Sequence, residues 1–222
     1  WPWWRGPDRN GIAEAAQTPP VEFSATKNVR WVVPVPGRGH GSPTVVGTRV
    51  FLAIADEEKK TQGLLCLDRD SGKELWSTVL HEGGFPEINQ KASHASSTPA
   101  CDGERVFIGF VNSGAAHLTA LSLEGKQLWR AKVCDYTVHQ GYGTSPTVYK
   151  SLVIVAADNK AGGAIAAFNR EDGKLVWKVE RPKLPNYHSP IIHPIGGRDQ
   201  LLFQGCDLVT SLDPMTGEKI WE

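Results

Sequence analysis

Hydrophobic residues along this chain come in short runs, many alternating with polar ones, and Gly, Pro, Asn or Asp closes nearly every run. PTVVG, RVFLAIA, GLLCLD and KELWSTV follow one another from Pro43 to Val79; PTVYK, LVIVAA, AIAAFN and KLVWKV do the same from Pro146 to Val179. Their length and alternation are those of β-strands. Asp102-Gly103, Asp172-Gly173 and Gly196-Gly197 mark turns between strands. No segment keeps a helical period, so the pattern predicts an all-β protein.

The pattern also repeats. LDRDSGKELW ends at Trp76, LSLEGKQLW at Trp129, FNREDGKLVW at Trp177 and LDPMTGEKIW at Trp221, and an earlier KNVRW ends at Trp31 without the turn. Successive Trp residues lie 45, 53, 48 and 44 positions apart, a period that suits a four-stranded propeller blade and exceeds ankyrin or leucine-rich units. A second marker, Pro43, Pro99, Pro146 and Pro190 in GSP, STP, TSP and HSP, precedes the next Trp by 33, 30, 31 and 31 residues. The gap from each Trp to the following marker is 12, 23, 17 and 13 residues. Length variation therefore collects in one connection type, on one face.

Each Trp follows a small residue at fixed spacing: Cys66, Ala167 and Ser211 stand ten positions before theirs, and Ala120 stands nine before Trp129, where the turn is one residue shorter. A flat indole packs over a small side chain and a bare Gly backbone, here Gly72, Gly125, Gly173 and Gly217, at little steric cost. One cofactor needs one site; a motif present four times in equivalent places serves the fold. Trp76, Trp129, Trp177 and Trp221 are accordingly read as structural.

The pattern of small residue, x, Asp, turn, Gly-Lys, x, x, Trp resembles the tryptophan-docking motif of PQQ-like, quinoprotein-type propellers over four units from Ser42 to Trp221. The opening WPWWRGPDRNG is similar to the start of propeller proteins of bacterial envelopes. Ser122 and Asn169 replace the motif Asp, and Glu218 replaces its Lys, which weakens those turns. The resemblance implies a β-propeller of four-stranded antiparallel blades, about four here, inside a seven- or eight-bladed ring. Residues 1–28 form an N-terminal Trp- and Pro-rich strap and residues 29–222 the blades. Trp31 would lie on an outermost strand without companions, to be completed by the remaining blades of a longer chain or by a second copy; a small complete propeller or a dimerising arc is the alternative.

Composition narrows the function. Lys plus Arg equals Asp plus Glu at 24 each, so no overall field attracts nucleic acid or an anionic membrane. No apolar run is long enough for a membrane span, and no charged-then-apolar signal opens the chain, which reads as soluble. Cys66, Cys101, Cys134 and Cys206 lack metal-ligand spacing and are expected as buried thiols or at most one disulfide. Asp56 to Glu58 reads as a solvated loop tip.

The resemblance carries two functional classes. Quinoprotein dehydrogenases imply a catalytic Asp, calcium ligands and often adjacent cysteines; no two cysteines are adjacent here. The reading taken is a non-catalytic propeller, with neither cofactor nor metal, acting as a protein-interaction or ligand-binding scaffold in the bacterial envelope, periplasmic or secreted. The alternative is a PQQ-dependent oxidoreductase whose catalytic part lies outside the chain.

His40, His94, His139 and His188 each fall two to seven residues before a marker Pro, accompanied by Arg38, Tyr142 and Tyr187. The seven are the candidate ligand site, at the channel mouth, for a protein partner or small ligand; capping of strand ends is the competing role. His81, His117 and His193 read as surface or core fillers. Trp1, Trp3 and Trp4 are expected in a strap over the blade edges, anchored by Arg5 and Asp8, with an aromatic binding platform as the alternative.

Overall fold

The computed structural model describes residues 1–222 as strands, turns and irregular backbone, with no helix. Four separate four-stranded antiparallel sheets form, each hydrogen-bonded in chain order. The first blade holds β1 (Thr44–Val46), β2 (Arg49–Asp56), β3 (Thr61–Asp68) and β4 (Glu74–Glu82). The second holds β5 (Ala100–Cys101), β6 (Arg105–Asn112), β7 (Ala115–Ser122) and β8 (Gln127–Asp135). The third holds β9 (Thr147–Tyr149), β10 (Leu152–Ala156), β11 (Ala164–Asn169) and β12 (Leu175–Glu180). The fourth holds β13 (Ile191–Ile195), β14 (Arg198–Gly205), β15 (Leu208–Leu212) and β16 (Lys219–Trp221).

First strands of successive blades lie side by side, β1 against β5 and β5 against β9. Each blade's first strand is thus innermost and its fourth outermost. The core lies between blades: Phe51, Leu64, Val106 and Ile108 close the first seam, Phe107, Leu118, Val153 and Ala166 the second, Ile154, Ile165, Leu201 and Phe203 the third. Middle strands are covered on both faces, which is why β6, β10 and β11 are almost wholly buried, whereas Leu75, Leu128 and Leu175 on the outer strands stay exposed.

The recurring turn joins one blade to the next. Within each blade the small residue faces its Trp directly across the strand pair: Cys66 opposite Trp76, Ala120 opposite Trp129, Ala167 opposite Trp177, Ser211 opposite Trp221. A register shift follows at each of these positions, a bulge that re-aims the outer strand. The indole, however, lies over the Gly of the following blade. A Cβ on Gly72, Gly125 or Gly173 would come within 2.6 Å of Trp31, Trp76 or Trp129, and one on Gly217 within 2.8 Å of Trp177. These glycines also hold φ between 71° and 85°, where a side chain is strained. Each indole Nε1 then donates to the backbone carbonyl near the next turn's start: Trp31 to Arg69 (2.8 Å), Trp76 to Leu123 (2.8 Å), Trp129 to Arg170 (3.1 Å), Trp177 to Pro214 (3.2 Å). Trp177 is buried, Trp76 and Trp129 are half-buried, and Trp221, with no following turn beneath it, is 42% exposed and donates to Gln200 of its own blade.

Replacing the motif Asp does not dismantle the turn. Asp68 and Asp213 accept two backbone N–H groups each through Oδ1, Asn169 accepts that of Glu171 (2.8 Å) and Ser122 Oγ that of Glu124 (3.2 Å). Any short side chain with an acceptor oxygen can fill this role.

Two expectations need correction. Trp31 is not in a strand: residues 29–35 are irregular, because no neighbouring strand offers them a ladder, and they are held by the Trp31 indole and by Arg30 Nη1 donating to Asp70 (2.7 Å). The strap is anchored neither by Arg5, whose guanidinium stacks on Trp4, nor by Asp8. Instead it runs along the innermost strands: Trp1 exchanges both backbone bonds with Val45, Pro2 O accepts from Cys101 N (2.7 Å), and Arg9 Nη2 donates to Val148 O (2.6 Å). Backbone groups at an inner edge take partners by position, which composition does not reveal. The four cysteines are free thiols, and only Cys206 is not fully buried.

Candidate functional site

In an antiparallel blade, the link from second to third strand and the link from the outermost strand to the next innermost strand share one face. The backbone joins them there: Gly83 N donates to Lys60 O, Ser113 N to Gly84 O, Tyr136 N to Gly114 O and Arg181 N to Gly163 O. The variable connections, residues 32–43, 83–99, 136–146 and 181–190, therefore cluster on one face, and the Trp turns lie on the other.

The marker motif connects blades around the axis. Ser42 N donates to Thr98 Oγ1 (3.0 Å), Thr98 N to Ser145 Oγ (3.0 Å) and Ser145 N to Ser189 Oγ (2.9 Å). Two residues on, Thr44 and Thr147 hydroxyls donate to Pro99 O (2.6 Å) and Pro190 O (2.7 Å) of the neighbouring blade. The hydroxyl residue before Pro99, Pro146 and Pro190 thus accepts a backbone N–H of the preceding unit, a role the sequence marked by recurrence alone.

Above this ring, connections bind one another. His40 N and Gly41 N donate to Ala95 O, Arg38 Nη2 to Gln90 O (3.1 Å) and Asn89 N to Gln140 O (2.8 Å). Two adjoining hollows result, sharing Asn89 and Ala92. One, of about 450 Å³, is lined by Lys91, Gln140, Tyr142 and Tyr187 among others. The other, of about 380 Å³, is lined by Arg38, Glu57, Lys60, Phe85 and His94 among others.

Of the seven candidate residues, Arg38, His94, Tyr142 and Tyr187 line these hollows, and His139 joins through its Nδ1, 3.2 Å from the Tyr187 hydroxyl. His40 and His188 stand apart: the His40 ring is exposed and lines neither hollow, and His188 Nδ1 meets Asn186 Oδ1 at 2.8 Å. The histidines sit at different offsets from their marker Pro, so they occupy different depths along their connections.

His94 stacks on Phe85 with ring centroids 4.2 Å apart, and burial lowers its pKa from 6.5, so the ring is neutral at pH 7. Tyr142 lies against Gly109, where a Cβ would be 2.8 Å from its hydroxyl, and that hydroxyl donates to Ala156 O (3.3 Å). Burial raises its pKa well above 10, which keeps it a neutral donor. Tyr136 meets it edge-on at 5.7 Å and donates to Gly141 O (2.9 Å). The site is thus an aromatic and amide-lined trough with cations at its rim.

Sequence reading missed the polar groups that shape this face. Gln62 Nε2 donates to His94 O (2.9 Å) and Asn112 Nδ2 to Gln62 Oε1 (3.1 Å), tying the connection of residues 83–99 to β3 of the first blade and β6 of the second. In the third blade Arg181 is buried against Asp158 (3.2 Å) and donates to Thr210 and Gly205. Polar residues directly after an apolar run, Asp158-Asn159 after LVIVAA, were the available signal. No group of three or more His, Cys, Asp or Glu is placed to hold a metal ion.

Residues 21–81 and 60–222 match the model of the family described as outer membrane protein assembly factor BamB. Among curated proteins, the BamB assembly factor of Moranella endobia is 32% identical over 141 residues, 62% of this chain and 31% of its own. Polyvinylalcohol dehydrogenase from a Pseudomonas species is 26% identical over 165 residues, 68% of this chain and 24% of its own. The chain spans about a third of the length of the first of these. Among solved structures, BamB from Moraxella catarrhalis superposes with a TM-score of 0.60 at 20% identity, covering 88% of this chain and 55% of that one. Quinohemoprotein alcohol dehydrogenase from Comamonas testosteroni superposes with a TM-score of 0.58 at 16% identity, covering 84% and 35%. At such identities these superpositions show a shared propeller fold.

Proposed function

Since the chain belongs to the BamB family of PQQ-like repeat propellers, we propose that it is a protein-interaction module of the bacterial envelope which grips a polypeptide segment of its partner at the face of the long connections. The observation that carries this is the trough shared by the two adjoining hollows, built from connections that bind one another and from no single blade. Tyr142 and Tyr187 offer apolar walls with fixed hydroxyls, a combination suited to binding side chains at low entropic cost. Asn89 and Gln140 present amides, and Arg38, Lys60 and Lys91 outnumber Glu57 at the rim. The trough is open and shallow enough for an extended segment, and its connections are the parts of the repeat that tolerate change.

The test is site-specific photo-crosslinking in a bacterial envelope carrying the outer membrane assembly machinery. A photoreactive residue at Lys91 or Gln140 should give one discrete adduct with an assembly component, lost on Arg38→Ala plus Tyr187→Ala. A photoreactive residue at Lys73, on the opposite face, should give none. Equal adducts from both faces, or an adduct indifferent to the double substitution, would defeat the reading.

A further inference from the structure

A third hollow, of about 390 Å³, lies on the face opposite the trough, at the seam of the second and third blades and under the N-terminal strap. Its floor is the β5–β6 turn at Asp102 and the β9–β10 turn at Tyr149 and Lys150, and Trp3 and Arg9 of the strap form its wall. Arg9 is fixed there by its Nη2 bond to Val148 O (2.6 Å) and by stacking on Trp3 at 4.9 Å. Lys150 lies 4.9 Å from the Tyr149 ring centroid.

Hydrogen bonds and charge are out of balance at this place. Trp3 Nε1 and Arg9 Nε are buried N–H donors with no acceptor, and a buried donor left unpaired loses the hydrogen bonds it made to water. Arg9, Lys150 and Arg170 line the hollow, with Arg105 behind. Against them stand Asp102, whose Oδ2 lies 3.4 Å from Arg170 and 3.6 Å from Arg105, and Asp199, which accepts from the Tyr149 hydroxyl (2.7 Å). Asp102 is thus shared by two guanidiniums at ion-pair distance, although its Oδ2 accepts no hydrogen bond, and Glu104 pairs with Arg105 (2.9 Å), so that Arg9, Lys150, Arg170 and Arg105 against Asp102, Asp199 and Glu104 leave one positive charge in excess. A buried pair of N–H donors beside one uncompensated cation is complementary to a single oxyanion.

The space decides which oxyanion. A bare inorganic ion fills little of the hollow, whose walls also include the Trp3 and Tyr149 rings and Val148. We propose that this seam binds the carboxylate of a peptide C-terminus with an apolar last residue: the carboxylate meets Arg9, Lys150 and the Trp3 indole N–H, and the apolar side chain packs on the two rings. The recognition mode is capture of a terminal carboxylate by fixed donors. It is separate from the trough and stands or falls independently of it.

The experiment is isothermal titration calorimetry of the whole chain with acetyl-Ala-Ala-Leu as the free acid and as its C-terminal amide, at one ionic strength. The free acid is expected to bind at least about tenfold more tightly than the amide, the discrimination one charge-assisted contact supplies. Arg9→Gln and Lys150→Met should each remove that preference, whereas Arg38→Ala plus Tyr187→Ala on the other face should leave it intact. Lys150 donates no hydrogen bond to the backbone, so its variant reports on the site even if Arg9→Gln loosens the strap. Equal binding of acid and amide, no binding at millimolar peptide, an unchanged preference in Lys150→Met, or inorganic phosphate binding as tightly as the free acid would each overturn the proposal.

Discussion

Joining Trp76 of one blade to Gly125 of the next should be measurable as a coupling energy. In Gly125→Ala, the alanine must adopt φ near 85°, at about 1 to 2 kcal/mol, and its Cβ would stand 2.6 Å from Trp76 Cδ2 and 2.8 Å from Cε3. The indole must shift and strain its Nε1 bond to Leu123 O, adding about 1 to 3 kcal/mol by analogy with overpacked cores. Trp76→Ala removes a half-buried indole and that hydrogen bond, for about 2 to 4 kcal/mol, less than a fully buried aromatic costs. With the indole gone, Gly125→Ala should cost only its backbone share. The double-mutant cycle should therefore give a coupling of about 1 to 3 kcal/mol.

Gly47→Ala is the control, since Gly47 has φ of 58° and open space where an alanine Cβ would stand; it should cost only about 1 to 2 kcal/mol. The assay is guanidinium unfolding followed by far-UV circular dichroism, chosen because removing Trp76 alters fluorescence directly. Stability in repeat arrays is approximately a sum of unit and nearest-neighbour terms, so a broken joint registers in the midpoint. Costs for Gly125→Ala no greater than for Gly47→Ala, or additivity within about 0.5 kcal/mol in the cycle, would refute the inter-blade joint.

Three further outcomes follow from buried groups. Asp158→Ala should destabilise by about 3 to 5 kcal/mol in thermal or chemical denaturation, because it strands the buried Arg181 charge, and Arg181→Met combined with it should recover part of the loss. His81 is held neutral to a pKa of about 3 by burial, then by the Arg130 charge and His117. Its folded pKa is below the unfolded 6.5, so the unfolded chain binds the extra proton and stability falls as pH drops from about 6.5 towards 3. By pH 5 this amounts to about 2 kcal/mol, a loss that His81→Leu should abolish in unfolding measured across that range. Burial raises all four thiols, Cys66, Cys101, Cys134 and Cys206, to about 11, so access decides between them: at pH 8 a thiol reagent should modify the partly exposed Cys206 first and the other three only on unfolding.

The fold was legible because its rules repeat. Strand runs, turn glycines and the small residue nine or ten before Trp recur in every unit, and in the structure the small residue and the Trp are cross-strand partners in all four blades. What recurrence could not convey was which blade each indole serves, since the pattern offers Trp76 both Gly72 before it and Gly125 after it. Only the stacking of blades, with the outer strand overhanging its neighbour's turn, selects the second. The anchors of the strap were not legible for the opposite reason: it occurs once, and its bonds from Trp1 and Pro2 to Val45 and Cys101 are backbone bonds that leave no trace in side-chain chemistry.

The candidate site was legible only in its location. Length variation pointed to the face of the long connections, because connections that differ from blade to blade are free of the packing that fixes the strands. Weighting histidine, a residue prominent in sequence, left out Asn89 and Gln140, which line the same trough and bond to each other through the backbone. Histidine at a variable connection carries no register: His94 is drawn inward by Phe85 and by the backbone bond from Gln62, while His188 is turned to Asn186. The trough thus carries His94 as a neutral, stacked ring and His139 against the Tyr187 hydroxyl, beside the permanent charges Arg38, Lys60, Lys91 and Glu57. If that is the working surface, partner binding should weaken with salt, through the cationic excess at the rim, and stay flat between pH 7 and 8, where burial keeps His94 uncharged. Crosslinking yield at Lys91 against salt and against pH separates the two pictures, and a rise in yield as pH falls through that range would restore the histidines.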